Sequence, residues 1–376
     1  MTSELSSLCS YAKGKVSVDT LSKRNYVSTE NMMPNKGGIV DAGALPSAQY
    51  TQQYIKDDIL VSNIRPYFKK IWMADDDGGC SNDVLVFRAD RGCDSTFLYY
   101  ILANDAFFNY ASATSKGTKM PRGDKTAIMQ YKVPCFNYET QLRIGKLLRS
   151  IDDRIAVNKK INDNLQQQLF SLYENMATAS PCLKEYTLCD FQEGYVNPPQ
   201  THPEYFDGEV KWLRAVDINE SFIIETSRTL TKAGFESAKK SALLFEPNTI
   251  AISKSGTIGR LGIIADYMCG NRAVINIAPH DTNMLAFIYC FLKSKQREFP
   301  DMAVGSVQKN LYVSLLEPLS VSIPDNESLT AFNAVGASIL GMIHNNCVEN
   351  TDLANLRDTI LPKLMSGEID VSSVLL

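Results

Sequence analysis

The strongest pattern in this chain is a stripe of apolar positions between residues 144 and 176. Successive members of the stripe are separated alternately by four and three residues. This spacing is the a/d pattern of a helix that packs along a partner helix in a coiled coil. The pattern predicts one long helix with a seam formed by Ile144, Leu148, Ile151, Ile155, Asn158, Asn162, Leu165, Leu169, Leu172 and Met176.

A second copy of this seam lies near the C-terminus. The offset between the copies is 188 residues, which is half of the 376 residues in the chain. We therefore interpret the chain as one unit repeated twice, with one long helix in each half. The corresponding positions are Phe332, Gly336, Ile339, Ile343, Asn346, Asn350, Leu353, Arg357, Ile360 and Leu364.

Two asparagines interrupt each seam at the same place. Asn158 and Asn162 correspond to Asn346 and Asn350. Asparagine in a seam lowers stability but specifies how the helices align. If the two helices run antiparallel about a pseudo-two-fold axis, Asn158 faces Asn350 and Asn162 faces Asn346. We predict this pairing.

The segments outside the helices repeat more loosely. Residues 58–62 match 249–253 as strands, and Tyr26 falls where Trp212 falls in the second half. Further matches join Cys80 with Cys269 and Gly117-Thr118 with Gly305-Ser306. The sequence predicts an α+β fold with two mixed α/β globular domains and two long antiparallel helices. The predicted boundaries are 1–136, 137–178, 179–324 and 325–376.

Local signals add detail to the first half. Gly78-Gly79 is typical of a turn between strands, and residues 97–110 have helical spacing of apolar side chains. Asn137 is a suitable N-cap for the first long helix. Gly367 is a suitable stop for the second.

Length and composition limit the class of protein. A chain of 376 residues is long enough for two globular domains. No apolar run approaches the roughly 18 residues that span a bilayer, and the N-terminus lacks a secretory signal pattern. The nine cysteines include no C-x-x-C pair, which favours reduced thiols. We expect a cytoplasmic protein without membrane association.

The charge pattern differs between the whole chain and one segment. The net charge of −4 lacks the simple signature of a basic nucleic-acid binder. Between residues 116 and 132, however, five basic residues face a single Asp124, a local charge of +4. A basic segment on a protein of nearly neutral charge is more often a solvated loop than a nucleic-acid contact.

Signatures of catalysis and metal binding are missing from the sequence. There is no phosphate-binding G-x-x-x-x-G-K-[ST] pattern and no G-x-S-x-G nucleophile pattern. The three histidines, His202, His280 and His344, lack metal-ligand spacing. Asn197-Pro198-Pro199-Gln200 is similar to an amino-methyltransferase motif, but Gln200 replaces its aromatic residue, so we predict a turn there.

Two matched loops follow the matched strands. Residues 253–260 combine hydroxyls, glycines and two cations, and residues 62–70 supply cations and aromatic rings. Glycine loops of this kind bring backbone N–H groups and cations close to phosphate. A plain β-turn is the alternative for each loop alone, whereas the pair favours a nucleic-acid interface.

The helix sequences resemble one family. Residues 146–155, Lys-Leu-Leu-Arg-Ser-Ile-Asp-Asp-Arg-Ile, with Asn158 and Asn162, resemble the central helix of type I restriction–modification specificity subunits. Residues 356–369, Leu-Arg-Asp-Thr-Ile-Leu-Pro-Lys-Leu-Met-Ser-Gly-Glu-Ile, are similar to the C-terminal signature of that family. The resemblance covers the whole chain in the order domain, helix, domain, helix.

This resemblance implies a non-catalytic subunit that reads double-stranded DNA. Each globular domain would read one half of a bipartite site, and the helices would set the spacing between the halves. The helices would also dock two modification (methyltransferase) subunits, which carry S-adenosylmethionine and methylate adenine. Restriction motor-nuclease subunits would join the complex. No cofactor and no metal are expected on this chain itself.

Candidate residues follow from position and chemistry. The expected helix seam and partner-docking residues are Ile151, Ile155, Asn158, Asn162, Leu165, Ile339, Ile343, Asn346, Asn350 and Leu353. The expected DNA contacts lie in the basic and glycine-containing loops. They are Arg65, Lys69, Lys70, Lys116, Lys119 and Arg122 in the first domain, and Arg214, Lys254, Ser255, Thr257, Arg260, Gln308 and Lys309 in the second.

Two other functions are compatible with the same pattern. One is a duplicated coiled-coil scaffold that joins two partners without contacting DNA. The other is a stand-alone sequence-specific DNA-binding protein without enzymatic partners. A catalytic role for this chain has no supporting motif.

Overall fold

The computed structural model describes residues 2–176, 188–306 and 308–371. The chain forms two compact units. The first unit comprises Met1–Arg154 and Leu353–Leu376, and the second comprises Ile155–Asp352. Each unit therefore contains one globular part and a segment of each long helix. The predicted boundary at residue 178 lies outside the described residues.

The globular part of the first unit is built on two four-stranded sheets. Strands β2, β9, β6 and β7 form an antiparallel sheet in that order, and β3, β5, β8 and β4 form the second sheet. A separate pair joins β1 and β10. The strands are β1 (Thr2–Glu4), β2 (Cys9–Tyr11), β3 (Lys15–Ser17), β4 (Tyr26–Val27), β5 (Tyr50–Tyr54), β6 (Ile59–Ser62), β7 (Ile71–Met73), β8 (Gly78–Cys80), β9 (Val84–Ala89) and β10 (Lys132–Pro134).

Strand β6 is buried on both faces. Ile59 and Val61 belong to the core cluster that includes the helices, whereas Leu60 belongs to a second cluster with Tyr54 and Val86. Successive side chains of a strand point to opposite faces, so a continuous apolar run suits a strand covered on both sides. The short run Ile59–Ser62 therefore forms a central strand of the unit.

The predicted helix at residues 97–110 is two helices. They are α1 (Ser95–Ala103) and α2 (Asp105–Ala113). Asn104 between them has an extended backbone, and its side-chain oxygen accepts a hydrogen bond from the Ala106 N–H at 2.9 Å. The apolar spacing alone predicts one continuous helix here, whereas this N-cap begins a second helix. A third helix, α3 (Lys125–Met129), begins at Asp124 in the same way.

The predicted turn at Gly78-Gly79 is wrong. Both glycines lie in strand β8 and are buried. A Cβ atom on Gly78 would collide with the Asn25 carbonyl and the Tyr54 hydroxyl. These glycines therefore allow close approach of neighbouring chain segments rather than a change of direction.

The second unit begins within helix α4 (Tyr138–Glu174) and repeats the sheet layout. Strands β11, β18, β15, β16 and β13 form one sheet, and β14, β12 and β17 form another. The elements are β11 (Cys189–Glu193), β12 (Phe206–Leu213), β13 (Phe222–Ile223), β14 (Thr229–Leu230), α5 (Lys232–Glu236), β15 (Ile250–Ser253), β16 (Leu261–Ile264), β17 (Cys269–Gly270), β18 (Val274–Pro279), α6 (Leu285–Lys295), α7 (Phe299–Met302), α8 (Val313–Leu316) and, at its end, α9 (Asn326–Ser366), which continues into the first unit.

Four strands of the main sheet have the same order in both units. The order β2-β9-β6-β7 in the first unit corresponds to β11-β18-β15-β16 in the second. Ser62 pairs with Val84, and Ser253 pairs with Val274, so the predicted match of residues 58–62 with 249–253 is confirmed.

One predicted match is displaced by a residue. The parallel pair of β4 and β8 joins Val27 to Cys80, and the parallel pair of β12 and β17 joins Leu213 to Gly270. Cys80 therefore corresponds to Gly270 and not to Cys269. Sequence identity at two cysteines concealed this difference in register.

The long helices begin with equivalent caps. The Asn137 side-chain oxygen accepts a hydrogen bond from the Thr140 N–H at 2.9 Å. Asp325, 188 residues later, accepts one from the Ser328 N–H at the same distance. Bonds from the Ser328 N–H and hydroxyl lower the pKa of Asp325. The predicted stop of α9 is confirmed, because Gly367 has a left-handed φ of 77° directly after the helix.

The predicted asparagine pairing is confirmed in the second unit. The Asn158 amide donates to the Asn350 side-chain oxygen at 3.1 Å. The Asn346 amide donates to the Asn162 side-chain oxygen at 2.8 Å. Later positions on α4 thus face earlier positions on α9, so the two helices run antiparallel there. The donors Asn158 and Asn346 are 188 residues apart, and so are the acceptors Asn162 and Asn350. The internal repeat therefore relates the two bonds to each other.

We expect the loss of one asparagine of the pair Asn162 and Asn346 to destabilise the protein, whereas replacement of both by leucine should not. Asn162→Ala leaves the Asn346 amide without its acceptor, which should lower the free energy of unfolding of the second unit by about 1–2 kcal/mol. The double variant Asn162→Leu/Asn346→Leu should be nearly neutral or more stable. Urea unfolding followed by Trp212 fluorescence in a Trp72→Phe background measures this unit alone. Asp163→Ala, at an exposed neighbour, is the control. A double variant as unstable as Asn162→Ala would contradict the expectation.

A polar cluster joins the helices to the globular part within the first unit. The buried Tyr100 on α1 donates its hydroxyl to Asp152 on α4 at 2.6 Å. Arg357 on α9 donates to the other oxygen of Asp152, also at 2.6 Å. Burial and the adjacent Asp152 raise the pKa of Tyr100, so the phenol remains protonated. One carboxylate therefore holds three elements together.

The second unit uses a close apolar contact instead. Gly336 on α9 lies so near α6 that a Cβ atom on it would be 2.5 Å from the Ala286 Cβ and 3.4 Å from Leu169 Cδ1. Leu169 and Ala286 are both buried in the core of this unit. The absence of a side chain at Gly336 allows the two helices to touch.

Within the described residues, no helix combines the length and apolarity that a membrane crossing requires.

Candidate nucleic-acid interface

The two cationic regions of the first unit lie side by side. The loop 63–70 joins β6 to β7, and residues 116–122 form a small hairpin in which Lys116 and Arg122 exchange backbone hydrogen bonds at 2.9 Å. The Arg65 N–H donates to the Pro121 carbonyl at 2.8 Å, and the Gly123 N–H donates to the Asn63 carbonyl at 3.1 Å. We call residues 63–70 and 116–122 together surface 1.

The second unit contains the equivalent arrangement. The loop 254–260 joins β15 to β16, and Val304 and Asn310 exchange backbone hydrogen bonds at 3.0 and 2.9 Å. The Leu311 N–H donates to the Lys254 carbonyl at 2.9 Å. This bond corresponds to the bond from Gly123 to Asn63, so the predicted match of Gly117 with Gly305 is confirmed. We call residues 254–260 and the described residues of 304–310 surface 2.

Four predicted cations of surface 1 have internal partners. The Lys69 ammonium lies 2.8 Å from Asp105, and Arg122 lies 2.9 Å from Asp83. Lys116 lies 2.5 Å from Asp124, whose pKa it lowers by hydrogen bonding. Lys70 donates to the Thr29 carbonyl at 2.6 Å, and burial lowers its pKa. These side chains can reach DNA only by giving up or sharing a contact.

Arg65 and Lys119 differ from this group. Lys119 is exposed at the tip of the hairpin and makes no ion pair with any described residue. Arg65 has a left-handed backbone, with φ 49°, and its Nε is buried without a hydrogen-bond partner among the described residues. Because this Nε is buried, an incoming acceptor could reach it only if the Arg65 side chain moved.

The cations of surface 2 are fewer and more constrained. The Lys254 ammonium lies 2.8 Å from Glu193 and 4.7 Å from the centre of the Tyr312 ring, and it is largely buried. Arg260 is half-buried, and its backbone N–H donates to Ser253 Oγ at 2.8 Å. Lys309 is an exposed cation of this surface, and the remaining predicted side chains, the half-buried Ser255 and the exposed Thr257 and Gln308, are polar and uncharged.

Arg214 lies in a different place. It follows β12 rather than either loop of surface 2, and its guanidinium stacks over Trp212 at 5.6 Å. Arg214 also donates to Ser227 Oγ at 2.5 Å. Arg228, which the sequence pattern did not single out, stacks over Phe206 at 4.1 Å in the same region. These arginines cover aromatic rings of the small sheet.

Two other expectations concern catalysis and metals. The turn predicted at residues 197–200 lies two residues later, because the His202 N–H donates to the Pro199 carbonyl at 3.1 Å and closes a turn over residues 199–202. In the described part of the chain, no group of three or more His, Cys, Asp or Glu side chains is arranged to hold a metal ion.

Comparisons with known proteins agree on one family. The sequence model described as the type I restriction modification DNA specificity domain matches residues 1–167 and 188–351. The MjaIX specificity subunit of a type I restriction enzyme from Methanocaldococcus jannaschii is 23% identical over 308 residues, which are 75% of this chain and 71% of that protein. The HindI specificity subunit from Haemophilus influenzae is 27% identical over 176 residues, 46% of this chain and 38% of its own length.

A solved structure has the same fold. The S subunit of the type I restriction–modification system from M. genitalium aligns with a TM-score of 0.56 and 18% identity, covering 97% of this chain and 96% of that chain. The two matched segments of the family model each contain one of the repeated strand arrangements described above. The chain belongs to the family of type I restriction–modification DNA specificity proteins.

Proposed function

We propose that this chain is the DNA-reading subunit of a type I restriction–modification complex. Surface 1 contacts one half of a bipartite duplex site, and surface 2 contacts the other. The observation that carries the proposal is the repeated pairing of a loop with a hairpin, fixed by equivalent backbone hydrogen bonds in both units. The backbone arrangement of loop and hairpin is the same in both units, whereas the side chains differ. The two surfaces can therefore recognise different base sequences.

Charge supports a division of labour within the complex. The chain has a net charge of −4, and most cations of surface 1 have acidic or carbonyl partners. Phosphate contacts dominate the affinity of proteins for DNA, whereas base contacts provide specificity. In our proposal, partner subunits supply many of the phosphate contacts and this chain mainly reads bases.

The long helices set the spacing between the half-sites in this proposal. Helix α4 has 37 residues, which at about 1.5 Å per residue gives a rod of roughly 55 Å. This length exceeds the roughly 34–36 Å of one turn of B-DNA. The asparagine pairs in the seam fix the alignment of α4 with α9. Two weak readers joined by a rigid element gain affinity through effective concentration.

Outward-facing apolar side chains on the helices support docking of partners. The predicted seam residues are buried or half-buried except Leu172, which is 45% exposed, so the others act chiefly between the helices. Besides Leu172, five apolar residues outside the predicted seam are exposed on α4 and α9, namely Val157, Ile161, Val335, Met342 and Leu356. In our proposal these residues contact two modification subunits, which bind S-adenosylmethionine and methylate adenine. Motor-nuclease subunits complete the complex, and this chain is not itself catalytic.

Salt-dependent DNA binding tests the proposal. Lys119→Ala should weaken binding to duplex DNA and lower the slope of log K against log salt by about 0.9, the value for one lost phosphate contact. Lys132→Ala is a matched control, because Lys132 is an exposed lysine of the same unit paired with Glu4 at 3.1 Å. The measurement is fluorescence anisotropy with a labelled duplex at several salt concentrations, using the full chain with its co-purified modification subunits.

The alternatives give different results in the same assay. A coiled-coil scaffold that does not contact DNA would show no binding that depends on Lys119. A stand-alone DNA-binding protein would bind fully without modification subunits, and none would co-purify with it. An unchanged salt slope in Lys119→Ala would remove the hairpin from the interface.

A further inference from the structure

Two aromatic side chains stand exposed at the centre of surface 1. Tyr67 and Phe68 lie in a single helical turn, Pro66–Phe68, between β6 and β7. Their side chains are 51% and 39% exposed, and their ring centres are 4.8 Å apart with the planes tilted by 56°. Exposed adjacent rings cost hydration free energy and mark a surface that contacts something.

The turn that carries these rings is held rigidly from both sides. Arg65 and Lys69 flank the turn with left-handed φ angles of 49° and 51°, which non-glycine residues seldom adopt. Backbone hydrogen bonds of 2.8 Å reach the turn from Asn35 to the Phe68 carbonyl and from Lys36 to the Lys69 carbonyl. Strained backbone that neighbouring segments hold in place is typical of functional sites.

Two of the neighbouring cations fasten the turn, and a third, the Lys70 ammonium, lies 6.0 Å from the centre of the Phe68 ring. Lys69 and Lys36 both bind Asp105 on α2, at 2.8 and 3.0 Å. Burial opposes ionisation of Asp105, but the hydrogen bonds from the two lysines outweigh it and lower its pKa. Lys69, which was predicted as a DNA contact, thus helps to position the aromatic rings, and the rings occupy the exposed face.

The fold does not require these rings. The equivalent loop of surface 2, residues 254–260, contains no aromatic residue. Gly256 there has φ 77°, and a Cβ atom on it would meet no described atom within 4 Å. The two units share the frame, so the aromatic pair is specific to what surface 1 contacts.

We propose that Tyr67 and Phe68 are specificity-determining residues that contact thymine methyl groups in the major groove of one half-site. This inference rests on the proposed function. Apolar contact with the thymine methyl is a standard form of direct readout, and the groove is about 12 Å wide. Two rings tilted against each other form a broad apolar surface. Side chains that separate stacked base pairs instead insert as single wedges. The hairpin bonded to this loop carries the exposed cation Lys119, which favours DNA over an apolar protein partner.

Sequence selection from a random duplex pool tests this role. The full chain with its co-purified modification subunits is compared with the double variant Tyr67→Ser/Phe68→Ser. The wild type should enrich two sequence blocks, and the variant should lose its preference for thymine in one block while keeping the other. Tyr50→Ser is the control, because Tyr50 is equally exposed on β5 of the same unit.

Uracil substitution gives a second measurement on the unaltered protein. Replacing the selected thymines by uracil removes only the methyl groups, and it should weaken wild-type binding on the order of 10-fold. The same replacement should not weaken the double variant further. The uracil measurement on the wild-type protein remains valid even if the double variant folds poorly.

Several results would overturn the inference. Wild-type binding that is insensitive to uracil, or an unchanged thymine preference in the variant, excludes methyl readout. A rise in 2-aminopurine fluorescence at the contacted step would indicate a wedge between bases instead. Loss of the modification subunits from the variant would indicate a protein contact. If the wild type enriches no bipartite sequence at all, the proposed function fails and this inference with it.

Discussion

Asp152→Ala should lower the free energy of unfolding of the first unit by about 3 kcal/mol. The Asp152 carboxylate accepts from the buried Tyr100 hydroxyl and from Arg357, both at 2.6 Å. Its removal leaves the buried hydroxyl without its acceptor and leaves the partly buried Arg357 guanidinium with only Asp358, 2.9 Å away. Urea unfolding followed by Trp72 fluorescence in a Trp212→Phe background isolates this unit, because the chain has only these two tryptophans.

The neighbouring residue provides a matched control. Asp153 is paired with Arg149 at 2.8 Å, but both side chains are more than half exposed. Asp153→Ala should therefore change stability by less than about 0.5 kcal/mol. The triple variant Asp152→Leu/Tyr100→Phe/Arg357→Leu should recover most of the loss, since no polar group then remains unpaired. Equal effects of Asp152→Ala and Asp153→Ala would show that the cluster is not a structural junction.

Gly336→Leu should destabilise the second unit by about 3 kcal/mol or more. A Cβ atom at this position already lies 2.5 Å from the Ala286 Cβ, so a larger side chain must push α9 away from α6. Trp212 fluorescence during urea unfolding measures the effect in a Trp72→Phe background. The displaced helix should also impair DNA binding by the second unit, while the first unit keeps its stability.

A leucine at a second glycine of α9 should have the opposite effect on stability. Gly341 lies five residues further along α9, and a Cβ atom on it would meet no described atom within 4 Å. Gly341→Leu should stabilise the helix by roughly 0.5–1 kcal/mol, because glycine is a poor helix former. Destabilisation by both variants to the same extent would mean that glycine at 336 serves no contact with α6.

The sequence alone predicted the helices well because their apolar positions recur at regular spacing. The seam spacing and the offset of 188 located α4 and α9, and the repeat placed Asn158 opposite Asn350. The cap at Asn137 follows from local chemistry that acts within one turn of helix. Features of this kind depend on residues close in sequence or on an exact internal repeat.

Pairing of charges could not be predicted in this way. Lys254 has the position and chemistry of a phosphate-binding loop lysine, but its ammonium lies against Glu193, 61 residues earlier in the chain. Lys69 is joined to Asp105 on α2, 36 residues later. Such contacts arise only when strands and helices from distant segments meet. The sequence therefore located both surfaces, whereas the exposure of Tyr67 and the internal partner of Lys254 required the fold.

The way in which each loop is joined to its hairpin has a consequence for evolution. The joining bonds, from Gly123 to Asn63 and from Leu311 to Lys254, run between backbone groups only. The four residues that make these bonds are constrained, since Leu311 is buried and a Cβ atom on Gly123 would lie 2.8 Å from the Asn63 and Ile128 side chains. Exposed side chains elsewhere in the two surfaces can be exchanged without loss of these bonds. New recognition sequences can arise by point substitutions at little cost in stability, and one unit can change its target while the other retains its own.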